Sequence, residues 1–254
     1  MDLLSLYDQQ RQTIIYPGIR REDTGTVIRH IDLTSNESYI VWSQLNTANA
    51  DSVIQGEITY FRQLGHSLEW KLYSHDSPAD LKQRLAAHGF EIGEVEALMV
   101  LDISTQPALL GRTYPHDIRR IETSDGIRDI LAVQTIVDGE DYTWLADALV
   151  AELEQEPDKL SLYAAYADHQ PVCSAWIRFP ANTPFASLWG GSTLEAYRGQ
   201  GFYSALVAVR AREALGRGFR YLTVDASPMS RPILEKIGFV HLTDTYPCLL
   251  KPSR

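Results

Sequence analysis

"EAYRGQGFYSAL", residues 195–206, sets two glycines one residue apart, directly before a stretch that reads as a helix with Gly218 near its C-cap. Glycine lets a backbone approach a ligand closely, and the first N–H groups of a helix lack internal acceptors. A glycine turn opening into a helix is therefore a natural cradle for phosphate. Three phosphates compete for it. A triphosphate loop needs glycines four residues apart followed by Lys and Ser or Thr, and no Lys follows this turn. A dinucleotide site has Gly199 and Gly201 in its favour, with Asp225 standing 24 residues beyond Gly201 where a ribose-binding acid would be. Against it, Ser204 replaces the third glycine, and the turn comes late in the chain, after a hairpin. The pyrophosphate of coenzyme A fits better, because Arg198, Gly199 and Gly201 precede the helix at once.

Working outward, the second half alternates strands and helices. "HDIRRIET" (116–123) reads as a strand, and "SDGIRDILAVQTIV" (124–137) as an amphipathic helix with Ser124 as its N-cap. "DYTWLADALVAELEQE" (141–156) is a second helix, which Pro157 stops. "KLSLYAAYADHQPVCSAWIRFP" (159–180) is a hairpin, and "ASLWGGSTL" (186–194) a strand whose Gly pair predicts a bulge. After the helix of the glycine turn come a strand "RYLTVDA", a short helix "SPMSRPILEKIG" and a closing strand region. The first half echoes this ending. Residues 67–103 and 220–250 both run strand, Ser-Pro, short helix, Gly-Phe, strand, with Ser77-Pro78 matching Ser227-Pro228 and Gly89-Phe90 matching Gly238-Phe239. The fold class expected is mixed α/β, a mostly antiparallel central sheet flanked by helices, in two related halves: 1–112 and 113–254. "ADSVIQGEITYFRQLG" would be the first half's counterpart of the helix after the turn, but it lacks the glycines, so no phosphate ligand is expected there.

The formal net charge of -10 argues against nucleic acid, whose phosphates call for clustered Lys and Arg. Cys173 and Cys248 have no metal-ligand spacing, so neither a metal site nor a disulfide framework is expected. "MDLLSLYDQQ" lacks a basic leader, and no apolar run approaches a membrane span, so the expected compartment is the cytoplasm, with no membrane partner.

The segment "LEAYRGQGFYSALVAVRAREA" resembles the acetyl-CoA-binding segment of the GCN5-related N-acetyltransferases, the GNAT superfamily, and "PILEKIGF" resembles that family's "LYEKLGF". Arg198 and Gly201 match the family's first two motif positions, while Tyr203 replaces its last small residue. The likeness covers about residues 116 to 250, and the first half is similar to a degenerate second copy, as in tandem members. The resemblance implies acetyl-CoA as acyl donor. The backbone of Ser192, Thr193 and Leu194 would line the pantetheine, one N–H there polarising the thioester carbonyl. The N–H groups of Arg198, Gly199, Gln200, Gly201, Phe202 and Tyr203 would hold the pyrophosphate. Ser227 stands where the family often has Asn.

The family's usual proton-handling groups are missing. Leu234 replaces a Tyr that acts as acid in many members, and "LWGGS" replaces a Glu-bearing strand that supplies the base. Asp225 is the substitute base, with capping of the turn after it as the alternative, and Ser230 is a weaker hydrogen-bonding group for the sulfur. Glu195, Asp168, His169, Tyr197 and Tyr246 are polar groups without assigned roles, and Trp176 and Trp189 read as core or pocket wall. The function implied is acetyl transfer from acetyl-CoA to a small-molecule or peptide amine. The alternative is a non-catalytic acyl-CoA-binding or sensing protein of the same fold.

Overall fold

The computed structural model describes residues 2–16 and 18–251. The chain forms two units. One comprises the residues up to Met99, with Asp225–Arg231 and those from His241 onward; the other comprises Val100–Val224 and Pro232–Val240. Each unit is mixed α/β, with mostly antiparallel strands flanked by helices.

In the first unit, helix α1 (Leu3–Thr13) precedes strands β1 (Ile19–Asp23), β2 (Val27–Asp32) and β3 (Glu37–Ser43), which pair antiparallel in sequence order. Helix α2 (Ala50–Leu64) carries the chain to β4 (Ser67–Tyr73), which runs parallel to β3. Helix α3 (Leu81–Ala87), β5 (Glu91–Ile92) and β6 (Glu96–Asp102) follow. The last strand of the chain, β12 (Val240–Leu250), pairs antiparallel with β4 and β5. Strand alternation divides β4 cleanly. Leu68, Trp70 and Leu72 join a core with Ile54, Ile58 and Phe61 of α2. Glu69, Lys71 and Tyr73 take the opposite face.

The second unit begins within β6 and continues with α4 (Pro107–Gly111), β7 (Asp117–Ile121), α5 (Ser124–Asp138) and α6 (Thr143–Gln155). Strands β8 (Leu160–Ala167), β9 (Gln170–Arg178) and β10 (Phe185–Thr193) follow, then α7 (Phe202–Gly216), β11 (Tyr221–Ala226) and α8 (Arg231–Ile237). The N-cap of α5 is Thr123, whose side chain accepts from the Gly126 N–H, one residue before the Ser124 expected. Thr123 has the extended backbone of a cap, whereas Ser124 is already helical. The β8–β9 hairpin turns on Asp168 and His169, both at positive φ (49° and 64°), as a tight two-residue turn requires. Strands β7 to β10 pair antiparallel in the order 7-8-9-10, and β11 runs parallel to β10. Leu160, Leu162, Ala164 and Tyr166 face α5 and α6, packing with Ile127, Ile130, Leu145 and Leu149. Ser161 and Tyr163 point the other way and donate to Glu213 of α7 at 2.8 and 2.7 Å. Helices α5 and α7 thus cover opposite faces.

The two halves share one plan: three antiparallel strands, a helix, a parallel strand, a short helix. The repeat expected from sequence is visible in β1-β2-β3-α2-β4-α3 and β8-β9-β10-α7-β11-α8.

Candidate functional site

Strand β10 pairs with β11 at only three positions: Phe185, Ala186 and Ser187 against Tyr221, Leu222 and Thr223. It then continues six residues to Thr193 with no strand partner on that side among the described residues. On its other side β10 stays bonded to β9, apart from a register shift between Trp189 and Ser192. That shift is the expected bulge. Gly190 sits there at φ +57°, and a Cβ on it would lie 1.7 Å from the Trp176 ring. Only glycine fits. A Cβ on Gly191 would come within 2.7 Å of Tyr203, so the glycine makes room for the bulky residue that departs from the family motif.

Donors on β10 alternate in direction along the strand. The Leu194 N–H donates to Val172 O at 2.9 Å, toward β9. The Thr193 amide therefore faces the unpaired side. Its carbonyl accepts from Arg198 Nε at 3.2 Å. The Ser192 hydroxyl turns inward to Gln134 at 3.1 Å, and the Thr193 hydroxyl lies 3.1 Å from Cys173 Sγ.

The turn follows. Gly199 and Gly201 have φ of +74° and +89°, and nothing lies within 4 Å of where a Gly199 Cβ would be. Helix α7 starts at Phe202 with no side-chain cap. The N–H groups of Gly199 to Ser204 have no backbone acceptor among the described residues. Gln200 folds back to Ala196 O at 3.0 Å. Phe202 is buried and stacks on His116 at 4.0 Å, with Tyr197 against its edge. His116 was not singled out from sequence; it precedes β7, far from the motif. Bare donors, left-handed glycines and the helix dipole together make a cradle fitted to a phosphate.

The expected proton-handling residues belong to the first unit. Asp225 Oδ2 is 3.1 Å from Lys71 Nζ, which also meets Glu96 at 2.9 Å. Burial alone would lower the Lys71 pKa, but Asp225 and Glu96 outweigh it and raise it well above the usual range. Asp225 Oδ1 is buried without a hydrogen bond. Glu69, on the same face of β4, has its carboxyl pushed up by burial. Ser227 and Ser230 close a local turn: the Ser230 N–H donates to Ser227 Oγ and the Ser230 hydroxyl to Ser227 O, both at 3.3 Å. Tyr246 packs at the first unit's core under Lys82, 4.1 Å from its ring centroid. In the second unit, Leu234 is fully buried, Trp176 is core, and Trp189 is exposed with its indole N–H on Ser187 Oγ. Glu195 is exposed, and Asp168 and His169 form the hairpin turn.

Among the described residues no group of three or more His, Cys, Asp or Glu is set to hold a metal ion, and no helix is long and apolar enough to cross a membrane.

A strand that parts from its parallel neighbour, bulges, and ends in a glycine turn is the architecture of the GCN5-related N-acetyltransferase fold. Solved structures agree. A GCN5-related N-acetyltransferase from Kribbella flavida is similar over 98% of this chain and 94% of its own, with a TM-score of 0.72 and 15% identity. A functionally unknown conserved protein from Staphylococcus epidermidis covers 94% of this chain with 96% of its own, at TM-score 0.70 and 20% identity. A tandem GNAT protein from the clavulanic acid biosynthesis pathway matches 97% of this chain and 88% of its own, at TM-score 0.62 and 10% identity. No protein-family model and no curated protein matches the sequence. The chain has the GNAT fold.

Proposed function

We propose that the chain is an acetyl-CoA-dependent N-acetyltransferase, with the donor on the second half. The observation that carries this reading is the unpaired edge of β10 leading into an uncapped glycine turn. The turn, from Arg198 to Tyr203, would hold the pyrophosphate, and the open edge at Thr193 would face the pantetheine. Acetyl-CoA, when bound, supplies the activated acyl group and a thiolate leaving group. The chain's own part is to bind and orient. Arg198 ties the turn to the strand through Thr193 O, and Tyr203 packs at Gly191.

One Asp225 oxygen is held by Lys71 and the other is buried. We therefore propose Asp225 as the counter-ion of Lys71, with the acceptor's proton leaving to solvent. Ser230 is committed to its own turn. These engagements are the ground for a second reading, a non-catalytic acyl-CoA-binding protein. The acceptor is proposed as a small-molecule or peptide amine. Thiol release from acetyl-CoA over an amine panel separates the readings. Amine-dependent release supports the transferase, and tight CoA binding with no release supports the binding protein.

A further inference from the structure

We propose that Gln134 and Arg210 are positioning residues that clamp the β10 bulge from opposite faces and so aim its open edge at the donor's acyl group. The proposal rests on the acetyl-CoA reading above. A bulge leaves backbone groups off the ladder, and buried ones need partners. Gln134, on α5, supplies them across the whole defect. Its Nε2 donates to Gly190 O at 2.7 Å and to Ser174 Oγ at 3.0 Å, and its Oε1 accepts from the Ser192 hydroxyl at 3.1 Å. One side chain thus fixes a residue inside the bulge and the residue that ends it.

Arg210 works from α7. It is 1% exposed. Its Nη1 donates to Trp176 O at 3.0 Å and reaches Trp189 O at 3.5 Å, and its Nε donates to Leu206 O at 3.0 Å. Trp176 and Trp189 are the last register pair before the shift. The guanidinium has no carboxylate partner among the described residues. Burial lowers its pKa, opposed in part by the electrostatic influence of Tyr203, Cys173 and Tyr163. A buried, unpaired cation is costly, and a leucine there would serve packing alone. The fork of donors explains the choice, since it meets two strand carbonyls and one helix carbonyl at once. With Gly190 pressed on Trp176 and Gly191 on Tyr203, every residue from Trp189 to Ser192 is fixed.

The clamp is read out by the affinity for acetyl-CoA relative to CoA, because only the acyl group senses the strand's aim. Both affinities are measured by calorimetry for wild type, Gln134→Leu, Arg210→Met, Arg210→Lys and Ser192→Ala. For Gln134→Leu and Arg210→Met, CoA affinity should stay within about threefold, while the preference for acetyl-CoA and any transfer rate fall roughly tenfold or more. Arg210→Lys should recover part of the loss. Ser192→Ala removes one bond of the clamp and should give a smaller loss, which keeps the test open if a larger substitution prevents folding. Folded Gln134→Leu and Arg210→Met with wild-type preference would overturn the clamp. A wild type that binds no CoA would overturn the donor reading itself.

Discussion

Lys71 and Asp225 are better explained by each other than by catalysis. On β4, Lys71 lies on the face opposite the core, yet is only 19% exposed, and its ammonium needs the two carboxylates it meets. Asp225→Asn leaves Glu96 as its closest counter-charge. The pair is partly solvated, so the expected loss of stability is about 1–2 kcal/mol, read as a shift in denaturant midpoint. The rate should keep rising from pH 6 to 9, because an amine acceptor with a pKa of roughly 10.4 gains its neutral form throughout that range. A drop of more than tenfold in kcat/KM with unchanged stability would return Asp225 to the role of base. His30 offers a second residue-level test. It is 2% exposed, and burial lowers its pKa to about 4, with its Nε2 buried and unpartnered. The unfolded chain takes up this proton near pH 6.5, so the folded state gains from His30 only above that value. Stability should fall as pH drops from 6.5 toward 4, with a slope of up to about 1.4 kcal/mol per pH unit from this group. His30→Leu should flatten that part of the acid-unfolding curve. An unchanged slope would mean the ring is protonated without cost.

At the scale of elements, the two halves treat the same gap differently. β3 and β4 also part, after Ile40 and Trp70. There α1 fills the place. Arg11 donates to Val41 O at 3.1 Å and grips Asp76 with two nitrogens at 3.0 and 3.1 Å, its guanidinium 3.7 Å from the Tyr73 ring centroid. Burial opposes its charge, and Asp76 more than compensates. Arg11→Ala would strand a buried Asp76 and should cost about 3–5 kcal/mol, measured by chemical unfolding. Stability close to wild type would show that α1 merely rests on the strands. None of this was legible in the sequence. Arg11 and Asp76 are 65 residues apart, Gln134 and Gly190 56, and Arg210 and Trp176 34. Each reads locally as one polar residue on a helix. The glycine turn, the hairpin at Asp168 and the bulge at Gly190 were legible because their geometry is set by the residues that form them. The engagement of Leu194 by Val172 was not, since it depends on which way one strand's donors alternate. His116 escaped for a related reason: it reaches Phe202 through the fold, not along the chain.

For the whole molecule, a shared plan with unequal clefts predicts one donor site per chain. The second half has the open edge and the bare turn. The first half lacks the glycine turn, Asn46 and Asn49 bind the segment before α2, and Arg11 takes the edge. The measurement that tests this most directly is a calorimetric titration of the full chain with CoA, beside Gly201→Glu. A Cβ at Gly201 would meet only His116 Nε2, at 3.5 Å. The left-handed backbone adds strain of about 1–3 kcal/mol, and the new carboxylate would sit against the pyrophosphate. The expected result is a stoichiometry of one for the wild type and loss of binding in a folded variant. No binding by the wild type, two sites, or unchanged affinity in folded Gly201→Glu would contradict it.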